Sequence, residues 1–362
     1  MSRAPWDELL MSSRVLVCVG SGGVGKTTLA ATLAVRAADL GRQVVVLTVD
    51  PARRLATALG LETAHGDLVE VCTTPSGGRL RASVIRSKEI FDQFIRTHSG
   101  SSELVSRIMT NRLYHQLSTT LAGSQEFTSL EKLLQSTELG ADLVILDTPP
   151  TKHAIDFLRA PQRLQSLFSD QVTRWFASES SGGLLSGLIN RGTRTVLRSL
   201  EVLTGPEFIS ELSDFFVAVR SVQGQLRDRS QRAEKLLRDS GCRFVLVTAF
   251  DESKLDEATE FRALLGQEGF AMGGVVVNRA FPERLPRGET RGPGEASSGD
   301  AKLVEFAQQF FAFHAARYDA YDRFARRMGA QIPIWRIPDY NRDIYGIDDL
   351  RRVQVVQTQA SI

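Results

Sequence analysis

Short apolar runs recur along this 362-residue chain, and between them apolar residues return every three or four positions. A short apolar run bounded by polar or turn residues fits a strand buried on both faces; the three-four spacing fits a helix with one apolar face. Strands are therefore expected at Arg14–Val19, Gln43–Val49, Leu80–Ile85, Asp142–Leu146, Cys242–Thr248, Gly274–Asn278 and Ile332–Ile337. Helical patterns separate most of them, the signature of an α/β fold whose mostly parallel sheet is covered by helices. The first such helix, Thr27–Leu40, is expected to stop at Gly41.

Two stretches break the alternation. Residues 86–138 read as three successive helices, with breaks near residues 99–102 and 122–124. Residues 153–238 read as a second helical block, interrupted at residues 180–183 and at Gly205-Pro206. Both blocks leave and re-enter the sheet, so an inserted helical subdomain within a single domain over residues 1–362 is expected. Within residues 164–203, Leu164, Phe168, Trp175, Leu184, Leu188 and Val196 share helical spacing. That face either packs on residues 104–134 or forms a groove for an apolar helix or lipid. Residues 286–300 are poor in apolar side chains and read as a flexible surface loop before a long helix, Ala301–Met328. A last helix is expected at Gly346–Val353.

Charge narrows the functional classes. The chain carries 44 basic and 42 acidic residues, a formal charge of +2, which offers nucleic acid no broad basic surface. The basic run Arg227, Arg229, Arg232, Lys235 and Arg238 alternates with acids and reads as a solvated helix face. Three dispersed cysteines, Cys18, Cys72 and Cys242, form no C-x-x-C pair, so neither zinc nor redox chemistry is indicated. Asp7 and Glu8 occupy the stretch where a signal peptide would be apolar, and no apolar run approaches the ~18 residues of a membrane span. A soluble protein of a reducing cytoplasm is the expectation.

The chemistry is concentrated after the first strand. Gly20-Ser21-Gly22-Gly23-Val24-Gly25-Lys26-Thr27-Thr28 satisfies G-x-x-x-x-G-K-[ST]. Phosphates concentrate negative charge, and this loop answers it with close backbone N–H groups, glycines that permit the approach, and the positive end of the following helix. Lys26 adds a point charge for the β/γ-phosphates and Thr27 a hydroxyl for Mg²⁺. Two further apolar runs end in aspartates: Val49 leads to Asp50-Pro51-Ala52-Arg53, and Leu146 to Asp147-Thr148-Pro149-Pro150. Each alone is equally a helix N-cap or turn residue. With a phosphate loop present, strand C-termini face the ligand crevice and both carboxylates are placed to serve it.

The chain resembles the ArsA-type anion-transporting ATPases and their tail-anchored-protein-targeting relatives, P-loop NTPases of the deviant branch that also contains MinD/ParA-type proteins. Gly20–Thr28, Thr48–Arg53 and Asp147–Leu158 carry the resemblance, the last as Asp-Thr-Pro-Pro-Thr-Lys-His followed by a helical pattern. Val275-Val276-Val277-Asn278 resembles the family's strand ending in an adenine-contacting asparagine, and Pro338–Leu350 its adenine-covering loop. The resemblance implies Mg-ATP as ligand and ATP hydrolysis as activity. It implies that Thr28 touches the α-phosphate, that Asp50 orients the attacking water, and that Asp147 holds Mg²⁺ through a water. Asp50, Pro51 and Arg53 would belong to one switch; Asp147, Thr148, Pro150 and His153 would belong to the other. His153 would begin a helix reporting γ-phosphate loss, although by residue type alone it is an ordinary helix-start residue.

A homodimer, or a heterodimer with a paralogous ATPase, is implied on the same ground. A hydrophobic client or membrane partner follows from the targeting branch, in which ATP gates binding of apolar helices. A MinD/ParA-type membrane-surface role is poorly supported, because Arg351-Arg352-Val353-Gln354-Val355-Val356 is short and weakly basic. The chain departs from the family where a second loop lysine that reaches a partner's phosphates is replaced by Ser21. Slow hydrolysis is then expected, or a substitute cation such as Arg53 or Lys152. The zinc-clamping C-x-x-C is missing, and no metalloid-binding cysteine set can be assembled.

Overall fold

The computed structural model describes residues 4–49, 54–60, 68–112, 114–115, 124–149, 159, 206–281, 298–340 and 342–358. Its centre is a nine-stranded sheet. In chain order the strands are β1 (Val15–Gly20), β2 (Gln43–Thr48), β3 (Val69–Thr73), β4 (Arg79–Val84), β5 (Leu143–Asp147), β6 (Cys242–Ala249), β7 (Met272–Ala280), β8 (Ile334–Pro338) and β9 (Val356–Thr358). Their spatial order is β3-β4-β2-β5-β1-β6-β7-β8-β9. The seven from β4 to β8 run parallel, and β3 and β9 pair antiparallel at the two edges.

All seven expected strands are present within two residues at each end. The edge strands were not expected. Val69–Thr73 alternates in type and is at most half-buried, and Val356–Thr358 is only three residues long. An edge strand covered on one side carries no continuous apolar run, so the pattern that revealed the central strands is missing there.

Described helices in chain order are α1 (Asp7–Ser12), α2 (Lys26–Asp39), α3 (Arg54–Leu59), α4 (Ser87–His98), α5 (Ser102–Thr110), α6 (Ser124–Glu138), α7 (Pro206–Arg238), α8 (Glu252–Gln267), α9 (Ser298–Met328) and α10 (Gly346–Arg351). Helix α2 stops where Gly41 adopts a φ of 94°. Residues 298–300, read as the end of a loop, are the first turn of α9. The apolar face at 164–203 and most of the loop at 286–300 lie outside the described residues.

Two cores sandwich the sheet. One face buries Val17, Leu47, Val144, Phe244 and Val275 under α6, α8 and α9, with Leu133, Phe261, Tyr321 and Phe324 facing them. The other buries Leu16, Val46, Ile145 and Val276 under α2 and α10. A third, smaller cluster joins Phe94, Ile95, Ile108, Phe127, Val222 and Leu226, so α4 to α7 pack on one another, while Ile90 of α4, Leu130 of α6 and Leu237 of α7 belong to the first sheet core. Arg229 corrects the expected solvated face of α7. It is 7% exposed, and its guanidinium donates to Glu131 at 2.8 Å and to Glu138 at 2.8 Å and 3.0 Å. Two facing carboxylates offset the cost of removing that charge from water. Arg227, Arg232, Lys235 and Arg238 are exposed, as expected.

Cys18 and Cys242 are buried in strands and Cys72 is half-buried; all three are free thiols. Burial pushes the Cys242 thiol up to about 12. At the C-terminus Arg351 pairs with Asp39 at 2.9 Å, and β9 completes the sheet edge. Among the described residues no helix is long and apolar enough to cross a membrane.

Candidate functional site

Parallel strands deliver their C-terminal ends to one side of the sheet, and three of those ends build the site. In register, Cys18 of β1 and Thr48 of β2 flank Asp147, the last residue of β5. Asp147 is 2% exposed. Its Oδ2 accepts from the Thr27 hydroxyl at 2.6 Å and from the Thr48 hydroxyl at 2.9 Å. Thr148, next along, donates its hydroxyl to the Cys18 carbonyl at 2.8 Å and so anchors the strand end to β1. One carboxylate therefore ties the start of α2 to two neighbouring strands.

The loop between β1 and α2 needs its glycines for close approach. A Cβ on Gly20 would sit 2.1 Å from the Val247 carbonyl oxygen of β6. A Cβ on Gly25, where φ is 90°, would sit 2.3 Å from Asn278 Nδ2. Gly25 is also the N-cap of α2, so the free amides of its first turn open onto the loop. Lys26 folds back over the loop, its ammonium donating to the Ser21 carbonyl at 2.8 Å, and is 8% exposed. Ser21 is buried, and its hydroxyl donates to Glu257 of α8. Glu257 in turn receives the Lys254 ammonium at 2.8 Å.

Asn278 approaches from β7. Its side-chain amide donates to the Val24 carbonyl at 2.9 Å and its side-chain oxygen accepts from the Arg279 backbone at 2.9 Å. Arg279 has a φ of 53°, the one positive value outside glycine among the described residues. That strained backbone turns the Arg279 side chain out of the strand line at the cleft rim.

A cleft of about 940 Å³ opens over the loop, walled by Gly22, Lys26, Thr27, Arg54, Asp147 and Arg279, with Gly23, Thr28 and Thr148 also on its surface. A smaller hollow of about 120 Å³ adjoins it between Thr28, Asn278, Pro338 and Tyr340. The structure thus brings together Gly22, Gly23, Gly25, Lys26, Thr27, Thr28, Asp147 and Thr148, with Asn278 and Pro338 around the side hollow. Ser21 and Val24 are buried beneath. Asp50, Pro51, Arg53, Pro150, Lys152 and His153 lie outside the described residues.

Arg54, Arg279 and Glu257 are new to the site. The doubled arginine after Asp50-Pro51-Ala52 and the arginine after Asn278 were visible as local signals. Glu257 had none, since 236 positions separate it from Ser21.

The arrangement suits a polyphosphate and a hard divalent cation. Backbone amides, one ammonium and two rim guanidiniums supply the positive side. Thr27 gives its proton to Asp147 and so keeps oxygen lone pairs for a metal. Among the described residues no group of three His, Cys, Asp or Glu is placed to hold a metal ion.

Residues 13–291 match the profile of a protein family described as anion-transporting ATPases. The chain is similar to the ATPase GET3B of Arabidopsis thaliana, 24% identical over 297 residues, 76% of this chain and 67% of that one. It is 25% identical over 305 residues to an ATPase ASNA1 homolog of Cryptosporidium parvum, covering 80% of this chain and 75% of the relative. Against the arsenical pump-driving ATPase of Acidiphilium multivorum, identity is 30% over 155 residues, 42% of this chain and 24% of the far longer relative.

Proposed function

From the premise that this chain belongs to the anion-transporting ATPase family and is an ATPase, we propose that it binds Mg-ATP in the cleft over residues 20–28 and hydrolyses it slowly. The observation that carries the reading is the convergence of Thr27 and Thr48 on Asp147 beside Lys26.

In this reading the triphosphate lies along the loop amides with Lys26 at the β/γ-phosphates, and Thr28 faces the α-phosphate. The smaller hollow between Asn278 and Pro338 takes the adenine. Thr27, and Asp147 through a water, would hold Mg²⁺, which supplies charge neutralisation on the phosphates. A water attacks the γ-phosphorus, the bond to the β–γ bridging oxygen breaks, and ADP and phosphate leave. Asp50, two positions beyond Thr48 in the sequence, would orient that water.

Slow turnover follows from Ser21. The cations walling the cleft stabilise the bound ground state, while the position nearest Glu257 carries a neutral hydroxyl and lends no positive charge to the transition state. Nucleotide state would pass to α4–α7 because α6 runs directly into β5, whose last residue is Asp147. Arg229 then couples α6 to α7. A second reading, an ATP-gated carrier of apolar helices, rests on the family resemblance and on the small apolar core that α4 to α7 form among themselves. A homodimer or a paralogous heterodimer belongs to either reading.

Asp147→Asn tests the assignment. The variant still accepts hydrogen bonds from Thr27 and Thr48, so the fold is expected to persist. The Mg²⁺ concentration for half-maximal turnover should rise at least about tenfold, as expected for replacing a charged partner by a neutral one. An unchanged Mg²⁺ titration would remove Asp147 from the metal's shell.

A further inference from the structure

The phosphate cleft and the smaller side hollow meet at a neck. Gly25 and Thr28 at the start of α2, Arg279 near the end of β7, and Asp343 and Ile344 of the loop after β8 line both spaces. A nucleotide with its phosphates in the cleft and its base in the hollow must place its sugar here, because the sugar joins the two. Arg279 and Asp343 are the ionisable side chains of the neck. Both are exposed, and among the described residues neither side chain has a hydrogen-bond or ion-pair partner.

Neighbouring contacts hold both residues at the neck. Val277 of β7 pairs with Arg336 of β8, and Ala280 with Pro338, three steps against two. Strand β7 thus carries one extra residue at Asn278–Arg279, a bulge of the kind that re-aims a side chain beside a site. Within it Arg279 takes its φ of 53°, with its backbone N–H tied to the Asn278 side chain at 2.9 Å. On the loop after β8, Asp349 of α10 accepts from Arg342 at 3.3 Å and from the Tyr345 backbone N–H at 3.2 Å. The Tyr340 hydroxyl accepts from the Gln354 backbone N–H at 2.5 Å. The chain is therefore anchored on either side of Asp343, whose own carboxylate is left to the neck.

We propose that this neck selects ribonucleotides: Asp343 accepts hydrogen bonds from the 2′- and 3′-hydroxyls of the sugar, and Arg279 donates to the α-phosphate. The inference rests on the nucleotide reading of the cleft and adds its sugar specificity. An ionised carboxylate only accepts, and its two oxygens suit two vicinal hydroxyls. Beside an anionic ligand it weakens binding unless the ligand donates to it. Asp343 therefore favours a sugar with both hydroxyls and penalises one without them, while Arg279 offsets its charge toward the phosphates.

Calorimetric titration of the full chain in excess Mg²⁺ with ADP and 2′,3′-dideoxy-ADP provides the test, since neither has a γ-phosphate to lose. Wild type should bind ADP at least about tenfold more tightly, as expected for hydrogen bonds to a charged acceptor. Asp343→Ala should bring the two within about twofold of each other, weakening ADP while dideoxy-ADP binds as well as before or better. Because Asp343 is exposed and unpaired, the variant's thermal midpoint should match wild type. Arg279→Ala should weaken both ligands alike, at least about threefold, and keep the preference for ADP. A wild type that binds the two equally, or a preference that survives Asp343→Ala, overturns the proposal and leaves the nucleotide reading standing. An Arg279→Ala chain that binds both as tightly as wild type overturns the α-phosphate contact. A wild type that binds neither compound overturns the nucleotide reading and the selection together.

Discussion

Lys26 and Arg229 are the two buried cations among the described residues, 8% and 7% exposed, and they sit in regions built on opposite plans. Arg229 is clasped by two carboxylates in the helical layer, the buried Glu131 and the surface-standing Glu138, which also pairs with the exposed Arg232. Lys26 lies on a loop of backbone amides in the wall of an open cleft, with the guanidiniums of Arg54 and Arg279 lining the same space. A buried charge that finds its counter-charge inside the fold contributes to structure. Lys26 shares its cleft wall with Asp147 as well as with the two guanidiniums, so its charge borders open space rather than a packed helical joint. The same residue property, low exposure of a cation, belongs to a structural joint in one region and to the wall of an open cleft in the other.

Three experiments break or sharpen that contrast. Lys26→Ala should have the largest effect, lowering ATP affinity at least about 100-fold, since losing a desolvated charge contact costs about 3 kcal/mol. Unfolding free energy should change by less than about 1 kcal/mol, within the range for a substitution that opens no core cavity. Calorimetric titration and urea unfolding read the two quantities. An affinity within about threefold of wild type would contradict the cleft's assignment.

Arg229→Ala should invert the pattern. Glu131, 2% exposed, would be left without a cation, while Glu138 would keep only the exposed Arg232. Stability should fall by about 3 kcal/mol, while ATP affinity in the remaining folded protein stays within about threefold. Urea unfolding at neutral pH measures the first, and titration well below the transition measures the second. Equal losses in both would mean that the helical cluster and the cleft are one cooperative unit in binding.

The smallest effect is expected at Ser21, and the structure changes what should be tried there. Ser21 donates to Glu257, so Ser21→Lys alone would place its ammonium against that carboxylate and gain little turnover, less than about twofold. Adding Glu257→Gln removes the competing charge and should raise turnover by at least about fivefold over Glu257→Gln alone, if charge at this position stabilises the transferring phosphoryl group. The comparison of four proteins forms a double-mutant cycle, and additive rates would deny any coupling between the two positions.

The central strands and the phosphate loop were legible in the sequence for a local reason. Strands covered on both faces must be apolar at nearly every position, and a loop that holds phosphates needs its glycines, lysine and threonine within nine consecutive residues. Nothing more distant is required to recognise Val15–Gly20 as a strand or Lys26 as a phosphate ligand candidate. The edge strands β3 and β9 lacked that signal because one side of each faces water.

What the tertiary structure alone decided is the set of contacts between residues far apart in sequence. Asn278 reaches the Val24 carbonyl, Glu257 meets Ser21, and Arg229 leaves a run of solvated basic residues to sit between two glutamates. Strand order β5-β1-β6 sets Asp147 and the end of β6 on either side of the loop, and no local pattern encodes which strands become neighbours. Side-chain type and spacing along the chain determine what each segment can bury or bind. Which charges meet inside the helical layer, and which line the open cleft, depends on what the sheet's order carries into contact.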